Sequence, residues 1–87
     1  MSGPRLHSFR SITLLTALAD WGPMTGRELT DLTGFPLSGG RKLAHSYLQR
    51  LETTGHVEVF KTELEANRPA RVWAITEKGA EAIGAGP

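Results

Sequence analysis

The sequence predicts a small α+β domain that is mainly α: three helices, a two-stranded hairpin and a short C-terminal helix. Three observations carry this. Apolar residues recur at helical spacing through about residue 53, a full helix-start signal stands at Thr25–Glu28, and beyond Gly55 the apolar pattern changes to alternation.

Eighty-seven residues make one domain, spanning 1–87 with order expected from about 6 to 83, whose core is small enough that most apolar residues are needed in it. A hydrophobic share of 39% with 22% charged residues suits a folded domain and is too apolar for a disordered chain. Apolar runs are too short to span a membrane, and "MSGPRLHSFR" has no apolar signal-peptide core, so a cytoplasmic protein is expected. The absence of cysteine excludes disulfides and zinc–thiolate sites.

The first helix is expected from about Leu6 to Asp20, with Ser8 as its cap and "DWGP" as its breaker. Ile12, Leu15 and Ala19 form its expected buried stripe. Leu14 and Leu18 then fall outside that stripe, either as a second contact inside the fold or as a candidate dimer interface. In "MTGRELTDLTG", Thr25 and Glu28 form a capping box, Leu29 and Leu32 face inward, and Gly34 closes the helix in the left-handed conformation.

"FPLS" reads as an extended turn, because Pro36 disfavours helix at the residue before it. Ser38 is the expected N-cap of a third helix, about 39–53. Leu43, Ala44, Tyr47, Leu48 and Leu51 point inward and Gly55 is its stop. Gly39 and Gly40 are expected either in the preceding turn, with the helix starting a residue or two later, or as a bare helix start that a phosphate can approach closely.

Val57 and Val59, alternating with Glu58, form one strand and Val72–Ile75 the other, joined by a long loop over 61–71. Pro69 lies near the end of that loop, where a missing donor does little harm. Thr76 caps a last helix of roughly Glu77 to Ile83.

A brief turn between the second and third helices, followed by a hairpin, is the connectivity of a winged helix-turn-helix. The residues also carry a family resemblance. "YLQRLETTGHVEV" (47–59) and "RPARVWAITEKG" (68–79) look like the winged-helix transcriptional regulators of the PadR family, and more loosely of the MarR family, over about residues 10–83. The resemblance implies a repressor that binds operator DNA as a dimer, with the third helix in the major groove. PadR-like proteins usually dimerise through a long C-terminal helix, whereas this sequence runs to Pro87. A homodimer through the first helix, or a monomer, is therefore expected.

The outer face of the third helix suits base readout. Lys42, His45 and Gln49 stand at i, i+3 and i+7 and leave one side of the helix, with Ser46 beside them. Gln49 can pair bidentately with adenine, Lys42 can donate to guanine, and His45 can donate or accept. Phosphate contacts are expected from Ser38 and Arg41 at the third helix, Thr25 and Arg27 at the second, and Lys61, Arg68 and Arg71 on the wing. Glu63 and Glu65 leave the 61–71 segment at a net charge of only +1, so its tip is expected to turn away from DNA. Arg41, Lys42 and Arg50 against Glu52 make residues 35–55 locally basic at +2, on a chain whose net charge is +1.

Catalysis finds no support. His7, His45 and His56 lack metal-ligand spacing, and no nucleophile elbow or phosphate loop occurs. No cofactor and no metal are expected, and Trp21 and Trp73 read as core or interface aromatics. The expected function is sequence-specific binding of double-stranded DNA, as a repressor. The alternative is a winged helix used for protein–protein contact. Its argument is the near-zero net charge, and a shallow salt dependence would mark it.

Overall fold

The computed structural model describes residues 9–34 and 40–84, with the backbone alone for Gly40 and Arg41. Within them the order is α1 (Phe9–Trp21), β1 (Met24–Thr25), α2 (Gly26–Thr33), α3 (Gly40–Thr53), β2 (Val57–Glu65), β3 (Arg68–Ile75) and α4 (Glu77–Ala82). The described residues thus form an α+β domain of four helices and a three-stranded antiparallel sheet, with more residues in helix than in strand.

Helix α1 ends at Gly22, where a φ of +88° needs glycine and the amide donates to the Leu18 carbonyl at 2.9 Å. Its buried side is not the one the sequence suggests. Leu14 and Leu18 are 0% and 1% exposed, and with Ser11 and Leu15 they form the inward stripe, while Ile12 faces outward. Both 12–15–19 and 11–14–15–18 fit helical spacing. The second removes three leucines from water together, which outweighs an isoleucine, a leucine and an alanine. Leu14 and Leu18 therefore cannot form a dimer interface: they pack within the core. The outer side of the helical layer carries Phe9, Ile12, Trp21 and Leu32 instead.

Helix α2 begins as its sequence implies. The Thr25 hydroxyl accepts from Glu28 N at 3.1 Å, Glu28 Oε1 accepts from Thr25 N at 2.9 Å, and Gly34 closes the helix at φ +66°. Leu29 is buried as expected, but Leu32 is not. Turn residues 35–38, Ser38 as a cap, and Gly39 lie outside the described residues; the helix itself begins at Gly40. Ala44, Leu48 and Leu51 of α3 enter the core, with Leu43 and Tyr47 packed at its margin.

The hairpin differs most from expectation. The 61–71 segment is not a loop but the distal half of a two-stranded ribbon, with pairing that continues to Glu65↔Arg68. Only Ala66 and Asn67 join the strands, both at positive φ, as a type I′ turn requires. A bulge at Val59–Lys61 leaves Phe60 without an opposite residue and resets the register. Pro69 lies within β3, on the stretch that β1 does not reach: β1 pairs only with Val72 and Trp73, so the proline interrupts no second ladder. This two-residue strand β1 makes the sheet three-stranded, rather than two-stranded as expected.

The core gathers Leu14, Leu15 and Leu18 of α1, Leu29 of α2, Leu48 of α3, Val57 of β2 and Trp73 of β3. Trp73 is a core aromatic as expected, whereas Trp21 is 70% exposed. Helix α4 is tied to the end of α3 through His56. Thr76 N donates to the His56 carbonyl at 3.1 Å, Thr76 Oγ1 donates to Gly55 O at 2.6 Å, and Lys78 Nζ donates to Thr54 O at 2.7 Å. Thr76 also caps α4 by accepting from Gly79 N.

Candidate functional site

Between α3 and the β2–β3 hairpin lies an open groove of about 820 Å³. One wall is α3, with Lys42, His45 and Ser46; the other is the hairpin, with Glu65, Pro69, Ala70 and Arg71. Gly26 and Arg27, at the start of α2, border it, and Trp73 lies at its base. Within the described residues, three elements thus bring cations to one concavity: Arg27, Lys42 and Arg71. Among the described residues none of these three makes an ion pair.

His45 is held by its neighbour at the base. Its ring meets Trp73 edge to face, with centroids 6.1 Å apart and planes at 71°. Such a contact adds about 0.5–1.5 kcal/mol and fixes where the imidazole points. Ser46 donates to the Lys42 carbonyl at 3.2 Å, so its hydroxyl is partly engaged by its own helix. Gln49 is exposed on α3 but does not line the groove.

Two residues expected at phosphates are otherwise engaged. Thr25 is buried and the one proton of its hydroxyl is used: it donates to Glu65 Oε2 at 2.6 Å, and its oxygen accepts from Glu28 N. While that bond holds, Thr25 has no side-chain proton to donate to a phosphate. Lys61 lies 3.5 Å from Glu63 in an exposed pair, an interaction worth about 0–1 kcal/mol that leaves the ammonium largely available. Arg68 is exposed next to the turn and outside the groove lining. Ser38 lies outside the described residues, as does the side chain of Arg41.

The two acids near the tip part ways: Glu65 points inward to Thr25, whereas Glu63 is exposed beside Lys61. The part of Glu65 in the groove has no sequence signal, since its partner is 40 residues distant. The basic character of 35–55 divides as well. Lys42 faces the groove, while Arg50 lies 5.6 Å over the Tyr47 ring, whose hydroxyl oxygen accepts from Arg10 Nη1 at 3.3 Å.

His56 is a buried residue away from the groove. Its Nδ1 lies 2.6 Å from Thr54 Oγ1, and burial, then the charge of Lys78, pushes its pKa below 6.5. Among the described residues, no three His, Asp or Glu side chains cluster as a metal site needs, and no helix is long and apolar enough to cross a membrane.

A second, shallower depression of about 410 Å³ lies on the outer side of α1 and α2. Phe9, Ile12, Ala17, Trp21 and Leu32 supply its apolar surface, with Thr13, Thr16 and Thr33 among them, and Asp20 is the one charged residue among the described residues that line it. Comparisons with protein families, with curated proteins and with solved structures find no match to this chain.

Proposed function

We propose that this chain is a winged-helix module that binds double-stranded DNA sequence-specifically and acts as a transcriptional repressor, as its resemblance to PadR-like regulators implies. In this reading α3 enters the major groove, β2 and β3 are the wing, and a phosphate backbone runs between them. The convergence of Arg27, Lys42 and Arg71 on that groove, each without an ion-pair partner among the described residues, is the observation that carries it. Cations placed on separate elements match the extended line of charge on a nucleic-acid backbone, which supplies most of the sequence-independent affinity.

Base discrimination then falls to α3, with Gln49, which stands outside the groove, as its main reader and His45 beside it, while Lys42 meets the strand in the groove. Each well-made base contact contributes about 1–3 kcal/mol of discrimination. Ser46 contributes less, with its hydroxyl turned to the helix carbonyl. No residue is assigned a catalytic role.

The test is selection from random-sequence duplex, followed by fluorescence anisotropy of the winner at about 50 and 200 mM salt. One enriched motif with a steep loss of affinity between the two salts supports the reading. No binding at the lower salt ends it.

A second reading, protein–protein contact, is favoured by the exposed Phe9, Ile12, Trp21 and Leu32, which together line the second depression. Light scattering over a range of concentrations tests its simplest form. Self-association that disappears in Trp21→Ser supports it, and a monomer at every concentration counts against it.

A further inference from the structure

The groove contains one acid among its cations, and that acid is engaged in an unexpected way. Glu65 lines the groove together with Arg27, Lys42 and Arg71, yet among the described residues it forms no ion pair with any of them. Its Oε2 accepts instead from the Thr25 hydroxyl at 2.6 Å, a bond between residues 40 apart in sequence. Thr25 is itself the cap of α2 and the second half of β1, pinned by Glu28 and by its pairing with Val72. One end of this bond is therefore among the most firmly held points of the fold. The other stands on the last residue before the two-residue turn of the hairpin.

We propose that Glu65 is a positioning residue and an electrostatic gate of the groove: its bond to Thr25 clasps the hairpin to the start of α2, and its charge opposes an anion entering there. The two parts follow from different properties of one side chain. Clasping needs only an acceptor oxygen for the Thr25 hydroxyl. Gating needs the negative charge, which lies beside the start of α2, where free N–H groups and the helix dipole favour an anion. The clasp stands on geometry alone; the gate rests on the DNA-binding reading. A carboxylate bonded to a neutral hydroxyl leaves all three cations for the incoming strand, and a phosphate that reaches the start of α2 has to displace it.

Two substitutions separate the parts. Glu65→Gln keeps an acceptor for Thr25 and removes the charge, whereas Glu65→Ala removes both. Hydrogen exchange of the hairpin amides, Thr62 to Arg71, reads the clasp without any DNA. Exchange in Glu65→Gln is expected to match the wild type, and in Glu65→Ala to run about fivefold faster or more, the effect of losing one ordinary hydrogen bond. Equal exchange in all three proteins overturns the clasp.

Anisotropy with a duplex at about 50 mM salt reads the gate. Glu65→Gln is expected to bind about three- to tenfold more tightly than the wild type, with the difference shrinking at about 200 mM. A wild type that binds, with a Glu65→Gln variant no tighter, overturns the gate while leaving the DNA-binding reading intact. If neither protein binds the duplex, the DNA-binding reading fails and the gate with it, and the clasp is decided by hydrogen exchange alone.

Discussion

Gly79 lies against the main chain of His56 so closely that a Cβ at 79 would run into the His56 carbonyl oxygen. That oxygen is already the acceptor for Thr76 N at 3.1 Å, and the Ile75 side chain closes the other side of the same space. Glycine is required here by contact rather than by backbone conformation. The spacing of Gly55-His56 and Thr76-x-x-Gly79 thus has a local mechanical reason: it is where α4 docks on the turn that follows α3.

Gly79→Ala is accordingly expected to destabilise the fold. The methyl meets backbone, which cannot swing aside as a flexible side chain would, so the cost should be that of an overpacked core, about 1–3 kcal/mol. For a domain of this size each 1 kcal/mol moves the melting midpoint by roughly 4–8 °C. Thermal unfolding followed by circular dichroism checks it, and an unchanged midpoint would mean that α4 is not docked as described.

His56 should make stability depend on pH. Burial, with Lys78 close by, holds its folded pKa below the ordinary 6.5. Between those two values the unfolded chain takes up a proton that the folded chain refuses. Stability is therefore complete above pH 6.5, declines as the pH falls through it, and levels off below the folded pKa. Urea midpoints measured from about pH 7.5 to 5.5 should fall for the wild type and fall less for His56→Gln. Parallel curves would place the pH dependence on other groups.

What could be read from the sequence alone was whatever is completed within a few residues. The Thr25–Glu28 capping box, the left-handed Gly34 and the Thr76 cap each close over three or four positions, and each forms as its residues imply. The orientation of α1 was not legible, because two stripes fit one helical period and the choice belongs to the partners of Leu14 and Leu18. Strand β1 was invisible at two residues, since it exists only as a neighbour of β3. In the groove, Lys42 and His45 followed from helical spacing and Arg71 from the hairpin. Glu65 did not, because its direction is set by a hydroxyl 40 residues earlier.

The hairpin turn was missed for a reason that is itself testable. Ala66 and Asn67 have φ of +53° and +66°, and only the second is a residue type that enters the left-handed region readily. An Asn-Gly pair would have announced the turn; Ala-Asn conceals it. Ala66 should therefore hold its conformation at a cost of about 1 kcal/mol. Ala66→Gly is expected to stabilise the domain by about 0.5–1 kcal/mol, less than the full strain because glycine also loosens the unfolded chain. A urea midpoint lower than that of the wild type would contradict a strained turn.

On the DNA-binding reading, Arg71 and Gln49 should fail in different ways, because one lines the groove and the other stands outside it on α3. Arg71→Ala removes a cation that meets the backbone, so affinity should fall about equally for every duplex, and the slope of log K against log salt should flatten by about one unit. Gln49→Ala leaves the backbone contacts in place. It should keep the salt slope and non-specific affinity, while tolerance of the wrong base at one position rises by about 1–3 kcal/mol. Titrating both variants against the selected site and single-base changes in it, at two salt concentrations, separates the patterns. A uniform loss in Gln49→Ala would move that residue to the phosphate set, and an unchanged slope in Arg71→Ala would take the strand out of the groove between α3 and the hairpin.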